Sequence, residues 1–222
     1  MSRKSGSVTR RDRFLQGDLG SPSFDQSPPI IHRREKPMWE AFGNFIDAVE
    51  SVIRRLQEPK DMVLAIEPII RRLVTQPDWL KEEYRRPIRS KAYAQYLLYR
   101  PADHAFSVVS FVWNPGQGSP IHDHCTWGVI GQYDGEEEES RFRITNNRLE
   151  RVGIVLARPG DISHVYPPSR DIHQIINRSS GPTISIHIYG GDIGSQVRHI
   201  YDPNTAAIQE FISGYDPVAE SK

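Results

Sequence analysis

The feature that most constrains the fold is a series of short segments rich in β-branched and aromatic residues. They occupy the middle and the later part of the chain, and Gly, Pro, Asn and Asp separate them. Short strands at such regular spacing are typical of an all-β barrel or jelly roll. The predicted strands are Tyr93–Tyr99, Phe106–Trp113, Thr126–Tyr133, Arg141–Ile144, Arg151–Leu156, Ile172–Ile176 and Thr183–Tyr189.

The segment that precedes these strands has a helical pattern. Apolar residues recur at three- and four-residue steps over Met38–Gln57, which predicts an amphipathic helix. Asp61–Thr75 predicts a second helix, with Pro68 as a kink or break. Asp78 is a candidate cap for a third, short helix.

These patterns divide the chain into a tail and one domain. Residues 1–36 are rich in Ser, Gly, Pro and Arg and have no apolar periodicity, which predicts a disordered tail. Residues 37–222 are expected to form a single mainly β domain, with helices over residues 38–86 and a β-barrel at about 90–203.

The charge balance and the cysteine count exclude several kinds of function. Lys and Arg number 28, as do Asp and Glu, which argues against a dedicated nucleic-acid binder or a polybasic membrane-surface protein. Cys125 is the single cysteine, so an internal disulfide and a multi-thiolate zinc site are excluded. A reducing, cytoplasmic compartment is therefore expected, and any bound metal needs His or carboxylate ligands.

A run of four glutamates, Glu136–Glu139, follows Asp134 and Gly135. Gly after Asp is a turn signal, and consecutive like charges favour solvent. The run is therefore predicted to be a solvated hairpin tip.

His122 and His124 give the strongest local signal of chemistry. Residues i and i+2 of a strand point to the same face, so the two imidazoles could form half of a metal site. The spacing alone is equally compatible with two core or surface histidines.

The surrounding residues resemble the first motif of the cupins. Where most cupins carry a ligating Glu, this chain has Gly128. The motif is carried by Gly116, His122, His124, Gly128 and Gly135.

His173 and Asn177 resemble the second cupin motif, in which a His is followed four residues later by an Asn. The resemblance implies a double-stranded β-helix with His122, His124 and His173 as metal ligands and no carboxylate ligand. His164 lacks the matching Asn and is predicted to have a structural or supporting role.

The residues of a later strand narrow the resemblance to one family within the cupins. Ser185, His187 and Tyr189 alternate along Thr183–Tyr189 and so share one face. Together with three histidine ligands they are similar to the Ser-His-Tyr triad of the cysteine dioxygenase-like thiol dioxygenases. The resemblance implies Fe(II) as the cofactor, O₂ and a small thiol as partners, and a catalytic role for these three residues.

Two further positions distinguish branches of that family. Gln95, together with Arg198 nine residues after Tyr189, resembles the bacterial-type 3-mercaptopropionate dioxygenases, which implies that both bind substrate. Arg100 is a competitor for the substrate carboxylate, although its surroundings suggest a loop. Cys125 directly follows His124, which is the wrong offset for the Cys–Tyr crosslink of the animal cysteine dioxygenases.

The leading interpretation is an iron-dependent dioxygenase that converts a small thiol carboxylate to its sulfinate, with 3-mercaptopropionate ahead of cysteine. A non-catalytic metal-binding cupin and a zinc or manganese cupin isomerase are the alternatives, although such isomerases usually retain the Glu that Gly128 replaces. The sequence leaves the oligomeric state open.

Overall fold

The computed structural model describes residues 36–218, and the side chains from residue 40 onwards. Two helices precede the strands, α1 (Lys36–Arg55) and α2 (Pro59–Val74), and a short 3₁₀ helix spans Glu82–Arg85. The predicted tail lies outside the described residues, apart from Lys36, at which α1 begins. No helix within residues 36–218 combines the length and the apolar character needed to cross a membrane.

The structure differs from the predicted helices in two details. Helix α2 continues through Pro68, so the helix does not break there. Asp78 does not cap a helix, because its φ of 57° places it in the left-handed region, whereas an N-cap residue adopts extended angles. The 3₁₀ helix begins at Glu82, after Lys81.

Helix α2 buries one apolar face against the barrel. A Cβ atom at Gly131 would lie 2.9 Å from Val74 and 3.1 Å from Ile70, so glycine lets the helix and the strand approach closely. The buried residues of α2 are Met62, Val63, Ile66, Ile70, Leu73 and Val74.

The seven predicted strands are present, β1 and β2 with the predicted ends and the other five with shifted ends, and four strands of two to four residues were not predicted. The unpredicted ones are β3, β7, β10 and β11. The strands are β1 (Tyr93–Tyr99), β2 (Phe106–Trp113), β3 (Ile121–His122), β4 (Gly128–Asp134), β5 (Glu137–Thr145), β6 (Arg148–Ala157), β7 (Ile162–Val165), β8 (His173–Asn177), β9 (Thr183–Gly190), β10 (Arg198–Tyr201) and β11 (Ile208–Phe211).

The strands form two antiparallel sheets in a jelly-roll arrangement. One sheet has the order β1-β2-β9-β4-β7, and the other has the order β11-β10-β3-β8-β5-β6. From β2 to β5 and from β6 to β10, successive strands alternate between the two sheets, as in a double-stranded β-helix. The predicted mainly β barrel with N-terminal helices is therefore confirmed.

The predicted hairpin tip at Glu136–Glu139 is wrong. Strand β5 begins at Glu137, and the two-residue alternation of a strand sends the four carboxylates to opposite faces. Glu137 and Glu139 are 2% and 3% exposed. Glu136 and Glu138 lie on the outer face, where they pair with arginines.

Candidate metal centre and adjoining pocket

Three buried histidines meet in the interior of the barrel. His122 ends β3 and lies opposite His173, the first residue of β8, in the register of those two strands. His124 follows two residues later, and the ring centroids of the three lie 4.8–4.9 Å apart. Their ligand nitrogens all fall within 4.8 Å of one another. The structure thus brings together the three predicted ligands, as a group that could hold a metal ion.

The hydrogen bonds of the rings decide which nitrogens face inward. The Nδ1 atom of His122 lies 3.0 Å from the carbonyl oxygen of Pro120. The Nδ1 atoms of the other two histidines lie 3.0 Å from carboxylate oxygens. Each ring is thereby left with Nε2 as its ligand atom, and Nε2 of His124 is buried with no hydrogen-bond partner in the described part of the chain. A metal ion would satisfy that nitrogen, so the donor set fits one.

Burial and the neighbouring imidazoles hold the pKa values of His122 and His124 well below the usual range for histidine. Both rings are therefore neutral at physiological pH. A neutral imidazole is the form that coordinates a metal.

Glu139 is a site residue that the sequence analysis missed. Its Oε1 atom lies 3.0 Å from Nδ1 of His173, while Oε2 accepts bonds from Arg141 at 2.8 Å and from Ser163 at 2.6 Å. Burial alone would raise the pKa of this carboxyl, but His173 and Arg141 outweigh burial and hold the pKa far below its usual value. Glu139 is thus a buried carboxylate that is held against a predicted ligand.

Asp171 has the same relation to His124, and no sequence motif points to it. Its Oδ1 atom lies 3.0 Å from Nδ1 of His124 and accepts the backbone N–H of that residue, also at 3.0 Å. Its Oδ2 atom accepts the backbone N–H of Cys125 at 3.0 Å. Two of the three histidines therefore have an anionic partner, whereas His122 has a neutral one.

The side chains of Ser185, His187 and Tyr189 form a continuous chain along β9. The Nε2 atom of His187 lies 2.9 Å from Ser185 Oγ, and its Nδ1 atom lies 2.6 Å from Tyr189 Oη. Trp113 Nε1 donates to Ser185 Oγ at 3.2 Å. The Tyr189 ring stacks on His124 with 5.1 Å between centroids, so the chain ends beside the histidine cluster.

The ring of Tyr189 leaves no space for a side chain at Gly128. A Cβ atom at this position would lie 2.7 Å from Cδ1 and 2.8 Å from Cε1 of the Tyr189 ring. The tyrosine ring therefore fills the space in which a side chain of residue 128 would begin.

A narrow cavity adjoins the histidines. It brings together six of the eight residues that the sequence analysis singled out, although Ser185 and His124 are not on its wall. The residues that line it are Tyr93, Gln95, Phe111, Trp113, Ser119, Pro120, His122, His173, Ile175, His187, Tyr189, Arg198 and Phe211.

Arg198 is a buried strand residue rather than an exposed loop residue. It begins β10, is 3% exposed, and places its guanidinium group 4.5 Å from the centre of the Phe211 ring. Its Nη2 atom donates to Ser213 Oγ at 2.7 Å, and Nε is buried without a partner among residues 36–218. Burial lowers the pKa of Arg198 from its usual value. A buried cation without a carboxylate bound to it is poised to receive an anionic ligand.

Gln95 has a similar unmet capacity for hydrogen bonds. It lies on β1, is 3% exposed, and neither its Oε1 nor its Nε2 atom has a partner within the described residues. The cost of burying an amide without partners is a few kcal/mol. The amide faces the same cavity as Arg198.

Arg100 and His164, which the sequence analysis also considered, do not line the cavity. Arg100 forms an ion pair with Asp192 and does not line the cavity. His164 lies on β7, where its Nε2 atom is 3.0 Å from a carboxylate oxygen of Glu67 on helix α2.

Solved structures with a similar fold are cupins and double-stranded β-helix proteins, and no protein-family model matches the chain. An uncharacterized conserved protein with a double-stranded β-helix domain from Klebsiella pneumoniae is 19% identical, with a TM-score of 0.40 over 58% of this chain and 91% of its own. A cupin 2 conserved barrel domain protein from Salinispora arenicola is 16% identical, with a TM-score of 0.36 over 47% and 86%.

Oxalate oxidase in complex with the substrate analogue glycolate is 14% identical, with a TM-score of 0.40 over 53% of this chain and 61% of its own. Likenesses as distant as these carry no information on activity or substrate.

Proposed function

We propose that this protein is an iron-dependent thiol dioxygenase, which converts a small thiol carboxylate and O₂ to the corresponding sulfinate. 3-Mercaptopropionate is the favoured substrate. The observation that carries the proposal is that one cavity adjoins the cluster of three histidines, two of which line it, and is also lined by Tyr189 and by the buried cation of Arg198. The balance is simple, because the thiol gains both atoms of one O₂ molecule and loses none of its own.

The three histidines would hold Fe(II) through their Nε2 atoms on one side of the ion. Three ligands on one face leave the opposite positions free for substrate, as in other non-haem iron oxygenases. When bound, Fe(II) would supply the redox chemistry that joins O₂ to sulfur. A site made of neutral imidazoles keeps the full charge of the ion, which favours binding of the substrate as a thiolate.

Arg198 would bind the carboxylate of the substrate. A small mercapto acid offers only a thiol and a carboxylate as strong handles, and the thiol belongs at the histidines. The guanidinium group can make two parallel bonds to a carboxylate, and its buried Nε atom has no other partner. The unpaired amide of Gln95 lies in the same cavity and can add a further hydrogen bond.

Tyr189 would present its hydroxyl group to the substrate between these two anchors. His187 holds the hydroxyl from behind at 2.6 Å, and Ser185 holds His187 in turn at 2.9 Å. Because all three side chains are buried, their orientation is fixed before the substrate enters.

The lining of the cavity favours 3-mercaptopropionate over cysteine. Cysteine carries an ammonium group that 3-mercaptopropionate lacks, and a buried ammonium needs an anionic partner. No Asp or Glu occurs among the described residues that line the cavity. We therefore expect cysteine to bind with an unpaired charge.

The proposal is tested by metal analysis and by the oxygen consumption of the iron-loaded protein. We expect turnover with 3-mercaptopropionate, a kcat/KM for cysteine at least tenfold lower, and one sulfinate formed for each O₂ consumed. Oxygen consumption without sulfinate would contradict a dioxygenase. Iron binding without turnover of any small thiol carboxylate would favour a non-catalytic cupin, and preferential retention of zinc or manganese would favour the isomerase alternative.

A further inference from the structure

A second cluster of potential metal ligands lies next to the histidine centre but outside the cavity. It consists of Asp123, Cys125 and His199, whose ligand atoms all lie within 4.8 Å of one another. None of the three lines the cavity, and the proposed reaction uses none of them. The cluster is therefore a separate set of donor atoms.

The course of the backbone explains why the two clusters share one segment. His122 and His124 point into the barrel, and the alternation of an extended chain sends Asp123 between them to the opposite side. The backbone N–H of Asp123 donates to the carbonyl oxygen of His199 on β10 at 3.1 Å. Residues 123 and 199 thus lie side by side, and Cys125 turns back over them with a φ of 54°.

The carboxylate of Asp123 is held from two sides. Its Oδ1 atom accepts the backbone N–H of His199 at 2.9 Å, and its Oδ2 atom accepts the hydroxyl group of Tyr201 at 2.6 Å. Asp123 is 6% exposed, whereas Cys125 is exposed and the His199 side chain is 31% exposed. The cluster thus has a fixed anionic base and a rim that is open to solvent, through which an ion can enter.

The separations around the sulfur atom are those of a tetrahedral zinc site. Cys125 Sγ lies 3.5 Å from Asp123 Oδ1 and 3.6 Å from His199 Nδ1. Tetrahedral Zn²⁺ with bonds of roughly 2.3 Å to sulfur and 2.1 Å to nitrogen or oxygen places the sulfur about 3.6 Å from either other ligand. Nδ1 lies 2.8 Å from Asp123 Oδ2, which is a hydrogen-bond distance. The partly exposed ring would move by about half an ångström to admit the ion.

The same three residue types also form nucleophilic triads, but the arrangement differs here. In a triad the nucleophile and the carboxylate contact opposite nitrogens of the ring, so that one nitrogen takes a proton while the other is held. In this structure the sulfur of Cys125 and the carboxylate of Asp123 both face Nδ1 of His199. Three donor atoms that converge on one point are the geometry of an ion site.

We propose that Asp123, Cys125 and His199 form a second metal site, which binds Zn²⁺ through Sγ, Nδ1 and a carboxylate oxygen, with water as the fourth ligand. Sulfur, imidazole and carboxylate donors together suit zinc. Binding releases the thiol proton to solvent, and the hydrogen of the neutral ring moves to Nε2, which frees Nδ1 for the ion. The charges of Zn²⁺, thiolate and carboxylate then sum to zero.

An ion at this site would join β10 to the segment that carries His122 and His124. It would brace two ligands of the candidate metal centre from outside the barrel. Because Cys125 and His199 lie outside the cavity, the second site does not depend on the chemistry proposed for the first.

The test is Co²⁺ binding in buffer without added thiols, because a cobalt–thiolate bond gives a charge-transfer band in the near ultraviolet. Cys125 is the single cysteine of the chain, so the band reports this site alone. In the wild type we expect the band to saturate at one cobalt–thiolate bond per chain, and Zn²⁺ to abolish it by displacing Co²⁺. Cys125→Ser should show no band.

His199→Gln distinguishes a site built from three residues from a cysteine that binds metal by itself. We expect this variant to weaken the cobalt affinity at least tenfold, in line with the loss of a ligand. His104→Gln is the matched control, because His104 is an exposed histidine that lies near Asp192 instead. It should bind Co²⁺ as the wild type does.

Equal cobalt affinities in the wild type and in His199→Gln would overturn the proposal, as would the absence of a thiolate band with excess Co²⁺. A band that forms only together with a dimer in analytical ultracentrifugation would place the sulfur in a bridge between two copies, which would also overturn it. The readout involves neither iron nor turnover. Zinc that Cys125→Ser retains belongs to the histidine centre, so metal analysis of this variant tells the two sites apart.

Discussion

The Oε1 atom of Glu139 lies 3.0 Å from Nδ1 of His173, and both side chains are buried. A carboxylate in this position fixes the ring orientation and increases the electron density on Nε2. Arg141 and Ser163 hold the other oxygen of Glu139, so the carboxylate cannot swing away from His173. Glu139 therefore acts on the candidate metal centre through His173.

We predict that Glu139→Gln weakens metal binding 10- to 100-fold, the usual effect of removing such a partner. Competition with a chelator of known affinity measures the dissociation constant. Glu138→Gln is the matched control, because Glu138 lies on the outer face of the same strand and pairs with Arg178. Equal metal affinities for Glu139→Gln and for the wild type would show that the carboxylate has no part in holding the ion.

We predict that His173→Ala loses iron, because two histidines cannot hold the ion on one face. Iron content after purification and reconstitution should fall by at least tenfold, and turnover should fall with it. His164→Ala is the control, since His164 lies near Glu67 on α2 and should leave iron content unchanged. Full iron occupancy in His173→Ala would remove that residue from the metal site.

We predict that Arg198→Ala lowers kcat/KM for 3-mercaptopropionate by one to two orders of magnitude. The reason is the loss of charged hydrogen bonds, each worth about 1.5–3 kcal/mol. The loss should be much smaller for cysteamine, which has no carboxylate. Arg100→Ala is the control, because Arg100 pairs with Asp192 outside the cavity. Unchanged efficiency in Arg198→Ala would return the carboxylate role to Gln95 or Arg100.

We predict that Cys125 forms no thioether with Tyr189. Its Sγ atom faces Asp123 Oδ1 at 3.5 Å and His199 Nδ1 at 3.6 Å. Burial and the adjacent Asp123 raise the pKa of the thiol to about 11, so it stays protonated. Intact-mass and peptide analysis after turnover should give the mass of the unmodified chain. Peptides of Cys125 and Tyr189 that are joined and two hydrogens lighter would contradict this.

We predict that Glu137 lowers the stability of the fold as pH rises. Burial raises its pKa from 4.5 to about 7, so the folded state holds the proton more tightly than the unfolded chain. The resulting stabilisation is complete below pH 4.5 and disappears as pH rises through 7. The shift corresponds to about 3 kcal/mol.

Urea unfolding of the wild type and of Glu137→Gln at several pH values measures this effect. The free energy of unfolding of the wild type should fall relative to that of the variant between pH 4.5 and 8. Glu136→Gln should follow the wild type. A constant difference between the wild type and Glu137→Gln would show that Glu137 has no raised pKa.

The strands that the sequence predicted are those with long runs of β-branched and aromatic residues, such as β2 and β9. Strands β3 and β10 were missed because they are short, and their residues are held by pairing with neighbours rather than by an apolar pattern. Arg198 belongs to β10, one of the strands that the sequence pattern did not predict.

The three histidines and the Ser185–Tyr189 chain could be predicted because each set lies close together in sequence or in a spaced motif. Glu139 and Asp171 could not be predicted, because their roles depend on contacts with His173 and His124, which are distant from them in the sequence. Glu139 also lies within a run of four carboxylates, where the like charges favoured a solvated interpretation. The strand period separates that run into a buried pair and an exposed pair, and only the pairing of β5 reveals it.

The close packing of Gly128 and Tyr189 means that a metal site with a ligand at position 128 and a site with the tyrosine ring beside it exclude one another. The first atom of any side chain at position 128 would enter the space of the tyrosine ring. A substitution that places a carboxylate side chain at position 128 would therefore also displace the ring of Tyr189 and its hydroxyl group. To exchange one arrangement for the other, residues 128 and 189 must be substituted together. Substitution at either position alone would produce a protein with neither arrangement intact.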